Sequence, residues 1–319
     1  MLEEKNPEWL QILQRTNLKS RLREKASLKR FNTWRIGGCA DCLIDVVSLL
    51  DLSYLINFIN KHNIPWFILG KGSNLLIPDK SWTGIILHLS GDFKKWNSNK
   101  KLNSNSNKIE VFAGAALTDV TFVNRCFNHG LGGMEFLIGI PGTIGGAVSM
   151  NAGAHGAETS EFVKEVEWMD LNGNIHTSKI EKLKFKYRFS ELNCNFGKII
   201  TSTIFYLEHN DPKIIKDKIN KYQSFRMEKQ PYNKPSCGSV FKNPPGEYAA
   251  KLIEESGLKG KIIGHAQVSP VHANFIVNRG EASSQDILNL IDLIRETVFK
   301  KFSINLELEV QILQSNIHK

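Results

Sequence analysis

The sequence predicts an α+β protein made of two or three packed subdomains. Its 319 residues reach the length at which a single hydrophobic core usually stops growing. Short apolar strands and amphipathic helices follow one another along the chain, and no internal repeat relates them. Residues 92–108 are rich in Lys, Asn and Ser, which predicts a solvent loop or a joint between subdomains.

The first two thirds of the chain are expected to hold most of the strands. A small βαββ layer is predicted from strands at 43–47, 65–69 and 84–89, with a helix at 52–59 after the first. After the joint, the pattern predicts a strand at 109–112, a helix at 117–127, and strands at 163–169 and 199–207. The Asn172-Gly173 pair is typical of a hairpin turn.

The last third predicts a separate subdomain that begins with a charged helix at 213–229. Ser283 or Ser284 is expected to cap a helix with an apolar face, and residues 304–312 alternate between apolar and polar side chains. That alternation predicts a half-buried strand. We therefore divide the chain at 1–91, 92–212 and 213–319.

The charge of the chain leaves several classes of protein open. Lys and Arg outnumber Asp and Glu by 41 to 32, a net charge of +9, which fits a nucleic-acid binder, a protein that attracts phosphorylated small molecules, or simply a basic proteome. The positive residues are spread out, and no aromatic and basic recognition module is present. No run approaches the roughly 18 apolar residues of a membrane span, and the N-terminus does not look like a secretory signal. We expect a cytoplasmic protein.

The five cysteines predict reduced thiols, because their number is odd and they are scattered. Cys39 and Cys42 form a C-x-x-C pair, but no second pair completes a zinc site, and the pair precedes a strand instead of opening a helix. No metal site is expected.

Two glycine-rich segments are candidate ligand-binding loops. The first, at the end of a predicted strand, is Gly70, Lys71, Gly72, Ser73 and Asn74. Glycine permits positive φ and a close approach of the backbone to a ligand, and successive N–H groups form a cavity for an anion. The segment matches neither the dinucleotide-binding nor the Walker pattern, and by itself it is equally consistent with a tight turn.

The second segment is richer in glycine, because residues 130–156 hold nine of the 24 glycines. Its centre reads Gly-Ile-Pro-Gly-Thr-Ile-Gly-Gly-Ala over 139–147, followed by Asn-Ala-Gly-Ala-His-Gly over 151–156. Each glycine costs about 0.5–1 kcal/mol relative to alanine, a cost that a purely structural segment rarely accepts. We interpret this segment as a surface for a flat cofactor and its diphosphate.

With Asn-Thr-Trp-Arg-Ile-Gly-Gly at 32–38, these loops resemble the vanillyl-alcohol-oxidase (PCMH-type) flavoproteins and, among them, the UDP-N-acetylenolpyruvoylglucosamine reductase family. Tyr-Arg-Phe-Ser at 187–190, Lys-Gln-Pro at 229–231, Cys-Gly-Ser-Val-Phe-Lys-Asn-Pro at 237–244 and Leu-Glu-Leu-Glu-Val at 306–310 complete the resemblance. It implies a two-part PCMH-type FAD-binding domain followed by a C-terminal α/β substrate-binding domain. The segment between Arg188 and Lys229 lacks the tyrosine-bearing insertion of one class, so the chain resembles the shorter, second class.

The resemblance implies an NADPH-dependent enzyme that holds FAD non-covalently and reduces the enolpyruvyl ether of a UDP-sugar for peptidoglycan synthesis. It implies Arg188, Ser239 and Glu309 as catalytic residues, with Ser239 as the proton donor, and Lys229, Asn243 and His272 as substrate contacts. The implied cofactor-binding residues are Gly70, Lys71, Gly72, Ser73, Asn74, Gly114, Ile140, Pro141, Gly142, Thr143, Gly145, Gly146, Asn151, Gly153 and Tyr187. No nucleic acid, membrane or obligate protein partner is expected.

The chemistry of conjugate reduction suits these residue types. A guanidinium stays protonated and its planar fork matches an enolate-like carboxylate. A serine hydroxyl is a weak acid, yet it can protonate a strongly basic carbanion if neighbours such as Lys229 or Lys242 relieve its alkoxide. Glu309 shares the polar face of its strand with Glu307, and the alternation does not choose between them; the family pattern selects Glu309. A protonated Glu309 requires a raised pKa.

Other interpretations remain open from the residues alone. Arg188 fits a surface salt bridge, Ser239 a turn hydroxyl and Glu309 a solvated strand face. Cys237, which stands where the family often has alanine, has no assigned role. A FAD-dependent sugar or alcohol oxidase would share the loops, and a basic non-catalytic nucleotide or nucleic-acid binder would be colourless. An absorption spectrum separates this last class from the flavoproteins.

Overall fold

A computed structural model describes residues 7–99, 108–193 and 197–314. The helices in these ranges are α1 (Glu8–Gln14), α2 (Leu49–Lys61), α3 (Asp119–Asn128), α4 (Ile144–Ser149), α5 (Pro212–Lys229), α6 (Ala249–Glu255) and α7 (Ser284–Phe302). The strands are β1 (Arg21–Ser27), β2 (Cys39–Val46), β3 (Trp66–Ile68), β4 (Leu75–Leu76), β5 (Trp82–Leu89), β6 (Trp96–Asn99), β7 (Lys108–Gly114), β8 (Leu131–Gly132), β9 (Gly153–Ala154), β10 (Ala157–Glu158), β11 (Val163–Met169), β12 (Ile175–Lys179), β13 (Phe185–Lys186), β14 (Phe189–Ser190), β15 (Ile199–His209), β16 (Ile262–Ile263), β17 (Ala266–Val268), β18 (Ile276–Asn278) and β19 (Gln311–Ile312).

The first sheet has the order β1-β2-β5-β3 and confirms the predicted βαββ layer. Strand β5 pairs in parallel with β2 and β3, and the apolar side chains of β5 are buried on both faces, as parallel strands covered on two sides require. The sequence did not predict β1, which pairs antiparallel with β2. Its alternating charged residues stay mostly exposed at the sheet edge, so it carries no apolar signal.

The second sheet is antiparallel, in the order β12-β11-β15-β7-β6, and β8 joins it beside β15. The predicted hairpin turn connects β11 to β12. The prediction of a solvent loop over 92–108 was wrong for its first half, because residues 96–99 form β6 and pair with β7. Trp96 anchors this polar edge strand by packing at a tilt against His129, with ring centroids 4.6 Å apart. Residues 100–107 lie outside the described residues.

The third sheet, β16-β17-β18, packs with α6 and α7 in the C-terminal part of the chain. Ser283 caps α7, because its Oγ accepts the Asp286 backbone N–H while the Asp286 carboxylate accepts the Ser283 N–H. The strand predicted over 304–312 is only partly confirmed. Leu306 and Val310 are buried as the alternation requires, but this segment pairs first with residues 240–242 and then, at β19, with β4. Because the pairing partner changes along the segment, the backbone hydrogen bonds do not form one continuous strand over 304–312.

The N-terminal and C-terminal parts share a core. The segment at 32–38 places Trp34, which is fully buried, among the apolar residues of the C-terminal part. Its indole N–H donates to the Ile276 carbonyl at 2.7 Å, and the Asn278 amide donates to the Trp34 carbonyl at 2.9 Å. The described residues contain no helix that is long and apolar enough to cross a membrane, and no cluster of acidic, His or Cys side chains suited to a metal ion.

The cysteines within the described ranges are free thiols, as predicted. Cys39 and Cys42 both lie on β2, and Cys42 is buried. Cys194 lies outside the described residues.

Candidate active site

The two glycine loops contact each other through Gly70 and Thr143. A Cβ added to Gly70 would lie 3.0 Å from the Oγ1 of Thr143, so the loops are in contact across this point. Gly72 has a φ of 59°, and a Cβ there would lie 2.2 Å from the Phe31 carbonyl oxygen. The Thr33 N–H also donates to the Gly72 carbonyl at 3.3 Å. The first loop therefore needs glycine both for its conformation and for its packing against 31–33.

Several backbone donors of these loops are unused. The N–H groups of Lys71, Gly72 and Ser73 donate no hydrogen bond to any described residue, and neither do those of Gly142 and Thr143. Unpaired N–H groups gathered on two loops in contact make a concave site for an anion such as a diphosphate. The first loop and the Gly142-Thr143 part of the second thus fit the phosphates of a dinucleotide cofactor.

Other glycines that the sequence analysis assigned to cofactor binding serve packing or leave space. Gly145 donates to the Ala115 carbonyl at 2.8 Å, and a Cβ there would lie 3.0 Å from the Ala115 Cβ. A Cβ on Gly114 would lie 2.3 Å from the Phe93 carbonyl oxygen. Gly146 is exposed, and an added Cβ would meet only the Thr143 Oγ1 within 4 Å. Of these three, Gly146 leaves the most room for a ligand.

Gly153 contacts the candidate catalytic arginine directly, and Asn151 contacts the backbone two residues before it. The Asn151 amide is buried and donates to Glu158 at 2.8 Å and to the Lys186 carbonyl at 3.1 Å. The Gly153 carbonyl accepts a 3.0 Å hydrogen bond from the Arg188 guanidinium. Arg188 has a φ of 53°, a conformation that L residues rarely adopt and that is often found at functional sites.

Arg188 and Glu309 form the centre of the site. The guanidinium Nε donates to the Glu309 Oε1 at 2.8 Å although 121 residues separate the two in sequence. The Glu309 side chain is only 16% exposed, and burial raises the pKa of its carboxyl above the ordinary value, while the Arg188 charge opposes that rise. Glu307 is 78% exposed and pairs with Lys242 at 3.4 Å. Burial thus distinguishes the two glutamates that the sequence pattern left equivalent.

Ser239 is half-buried and directly precedes the segment that pairs with Glu309. The Glu309 N–H donates to the Val240 carbonyl at 2.9 Å, and Phe241 forms a β-bridge with Leu308. The Asn74 amide in turn donates to the Glu309 carbonyl at 2.9 Å. The backbone therefore brings the first glycine loop, the serine segment and the glutamate strand together.

The residues with implied substrate contacts are more dispersed. Asn243 is exposed, its Oδ1 accepts from the Ala249 N–H at 3.1 Å, and its own N–H lies 3.5 Å from the Tyr187 hydroxyl. The Tyr187 ring lies beneath the Arg188 guanidinium, with 4.9 Å from Cζ to the ring centroid. Among the described contacts, Tyr187 thus joins the arginine to the 243 segment.

Lys229 and His272 have no described contact with Arg188, Ser239 or Glu309. Lys229 ends α5 and pairs with the adjacent Glu228 at 2.6 Å. His272 packs edge-on against Phe275, its Nδ1 is buried without a partner among the described residues, and burial lowers its pKa.

The structure adds three residues that sequence reasoning left without a role. The Cys237 thiol is buried and donates to the Ser73 carbonyl at 3.0 Å, which ties the serine segment to the first glycine loop. Asp119 is buried beneath Gly142, and Arg226 lies against Gly139. A sequence signal existed for Arg226, because it lies seven residues after Ile219 and eleven after Ile215, spacings that place all three on one face of the helix.

Comparisons with known proteins agree with this geometry. Residues 40–179 match the model of an FAD binding domain, and residues 230–313 match the C-terminal domain of UDP-N-acetylenolpyruvoylglucosamine reductase. The reductase of that name from Halalkalibacterium halodurans is 39% identical over 92% of this chain and 94% of its own length. The one from Caldanaerobacter subterraneus is 42% identical over 90% of this chain and 91% of its own length.

A solved structure gives the same result at the level of the fold. The crystal structure of UDP-N-acetylenolpyruvylglucosamine reductase from Thermus caldophilus covers 93% of this chain and 100% of its own, with a TM-score of 0.76 and 32% identity. The predicted α+β class, with an FAD-binding domain and a C-terminal domain, is thereby confirmed. The chain belongs to the UDP-N-acetylenolpyruvoylglucosamine reductase family of oxidoreductases and contains its FAD-binding domain.

Proposed function

We propose that the protein uses NADPH to reduce the enolpyruvyl ether of UDP-N-acetylglucosamine enolpyruvate to UDP-N-acetylmuramate, a cytoplasmic step of peptidoglycan precursor synthesis. The observation that carries the proposal is the partly buried ion pair of Arg188 and Glu309 beside two glycine loops with unused backbone donors. Bound FAD would accept a hydride from NADPH and pass it to the terminal carbon of the alkene. The protein's own residues then handle charge and protons.

The role proposed for Arg188 is to stabilise the negative charge that spreads into the substrate carboxylate. Its guanidinium is held by Gly153 and Glu309 and stacks on Tyr187, so its orientation is fixed before substrate arrives. A preorganised cation in a partly buried site stabilises developing charge without a reorganisation cost.

Glu309 and Ser239 are proposed to manage the protons. Burial raises the pKa of Glu309, which favours the protonated carboxyl that the proposal needs as a hydrogen-bond donor to the developing enolate. Ser239, one residue from the backbone pairing with Glu309, is the proposed proton donor to the carbon next to the carboxylate. The exposed Asn243 and Lys229 are proposed to meet the UDP part of the substrate, with His272 near it.

The proposal is tested by separating the two half-reactions of Ser239→Ala in an anaerobic stopped-flow experiment. We expect NADPH to reduce the bound flavin at the wild-type rate. Reoxidation by the enolpyruvyl UDP-sugar should slow by about 10²–10⁴-fold, the usual contribution of a general acid. Ser236→Ala, three residues away in the same segment, is the matched control and should leave both rates unchanged.

Two results would reject the proposal. Equal losses in both half-reactions would remove the proton-donor role of Ser239. Reduction of the flavin by a sugar or an alcohol in the absence of a nicotinamide would replace the reductase with an oxidase or dehydrogenase.

A further inference from the structure

A pocket of about 500 Å³ lies on the segment that carries the Asn-Thr-Trp-Arg motif at 32–35, which the proposed function leaves without a role. The pocket is lined by Lys29, Arg30, Asn32 and Arg35, and none of these belongs to either glycine loop or to the proposed catalytic set. Its volume falls within the roughly 300–1,000 Å³ of small-molecule binding sites. The pocket therefore has room for a ligand the size of a nucleotide.

The three basic side chains of this pocket are exposed and lack a counter-ion within the described ranges. None of them forms an ion pair or donates a side-chain hydrogen bond to a described residue. Asp79, whose carbonyl oxygen would lie 2.5 Å from a Cβ on Gly38 at the end of the same segment, is already engaged. Its carboxylate accepts the N–H and the hydroxyl of Ser284 at 2.6 and 2.9 Å. The pocket is thus a concentration of uncompensated positive charge.

The backbone that carries these cations is held in place. The Asn32 amide is buried and donates to the carbonyls of Leu28 and Ile36 at 2.9 and 2.6 Å, while its Oδ1 accepts the Ile36 N–H at 3.3 Å. Trp34 is fixed in the C-terminal core. Between these anchors Arg35 has a φ of 60°, a strained conformation that is often found at functional sites. The pocket is therefore formed before any ligand arrives, which lowers the entropic cost of binding.

We propose that this pocket binds a small polyphosphorylated anion, with a diphosphate group held by the guanidinium groups of Arg30 and Arg35 and the ammonium group of Lys29. Guanidinium groups match phosphate oxygens bidentately, and an ammonium adds a compact point charge. The three cations line one concave pocket, whereas a nucleic-acid backbone is bound along an extended run of cations. This inference does not depend on the proposed function.

The test is isothermal titration calorimetry of the FAD-loaded protein with inorganic pyrophosphate and, in parallel, with ADP. We expect saturable binding of pyrophosphate. Arg35→Gln should weaken it about 10-fold, the effect of losing one charged hydrogen bond. Arg30→Gln should weaken it by a similar factor and supplies the measurement if Arg35→Gln does not retain FAD. Equal affinities for the two ligands would identify the diphosphate as the recognised group, and tighter binding of ADP would add the nucleoside to it.

The matched control is Arg125→Gln, which removes an exposed arginine from α3 and should bind pyrophosphate as the wild type does. Unchanged affinity in both Arg35→Gln and Arg30→Gln would overturn the inference. Binding that is lost in Lys229→Gln and retained in Arg35→Gln would overturn it too, because the anion would then occupy the proposed substrate site. Binding of poly(U) without binding of pyrophosphate would replace the small anion with RNA. Because turnover does not enter the titration, failure of the proposed function is seen separately, as a lack of reductase activity in the wild type.

Discussion

Replacing Asp119 by asparagine tests how a buried acid beneath the second glycine loop affects stability. Asp119 lies in the first turn of α3, is 1% exposed, and has no described partner for either carboxyl oxygen. Its Oδ2 is 2.1 Å from the place of a Cβ on Gly142, and its N–H donates to the Gly142 carbonyl at 3.2 Å. Burial raises the pKa of this carboxyl to about 8.

The sign and size of the effect follow from proton binding. In the unfolded chain Asp119 ionises near its ordinary pKa of about 3.9, so between that pH and about 8 only the folded state holds the proton. The contribution of this proton to the free energy of unfolding is fully present below the pKa of the unfolded chain. Above that pH it falls by about 1.4 kcal/mol for each pH unit until the pKa of the folded state is passed. The asparagine side chain of the variant has no such proton to lose. The free energy of unfolding of Asp119→Asn should therefore gain about 3 kcal/mol relative to the wild type between pH 5 and pH 7.

The assay is urea unfolding followed by far-ultraviolet circular dichroism at pH 5, 6, 7 and 8, with the same saturating FAD concentration throughout, because FAD bound to the folded state adds its own stability. Asp217→Asn, which changes an exposed carboxyl on α5, is the matched control and should follow the wild type. A constant difference between Asp119→Asn and the wild type from pH 5 to pH 8 would refute the claim that Asp119 is protonated in the folded protein.

Two further predictions concern Gly72 and the cap of α7. Gly72→Ala should lower the FAD content of the purified protein, read from its visible absorption, and destabilise the fold by more than the roughly 1–3 kcal/mol of the strained φ, because its Cβ would meet the Phe31 carbonyl. Gly257→Ala, at a φ of 74° with nothing within 4 Å, isolates the conformational part, and equal losses in the two variants would contradict the packing argument. Ser283→Ala should lower the free energy of unfolding by about 1 kcal/mol, since it removes the acceptor of the Asp286 N–H; an unchanged urea midpoint would show that the cap contributes nothing.

Local patterns predicted several of the elements with buried side chains, but not α6 or the strands β16–β18, although Leu252, Ile253 and Ile276 are buried. The apolar run of β5, the turn between β11 and β12 and the capping box of α7 each lie within a few residues, so the sequence contains the whole signal. Two other missed elements are held by strands that lie elsewhere in the chain. Strands β1 and β6 are polar edges that form because β2 and β7 offer unpaired backbone groups. The domain boundaries that we predicted remain predictions.

In the candidate site, too, short motifs were visible in the sequence, whereas the choice between neighbouring residues depended on tertiary packing. The glycine loops and the motifs at 187–190, 237–244 and 306–310 were identified from the sequence by their resemblance to one family, and the chain belongs to that family. The sequence did not distinguish Glu307 from Glu309, because alternation places both on one face of the strand. Only packing buries Glu309 against Arg188 and leaves Glu307 exposed.

The sequence by itself, through its resemblance to one family, indicated the fold class, the presence of an FAD-binding domain and the residue types available for catalysis, because the motifs that carry the resemblance are short continuous segments. Only the tertiary structure decided which charges are desolvated and which are paired. Arg188 meets Glu309 although 121 residues separate them in sequence. The Nε of Arg226 and both carboxyl oxygens of Asp119 are buried and have no hydrogen-bond partner among the described residues. Desolvation depends on everything that packs around a group, and no local pattern records it.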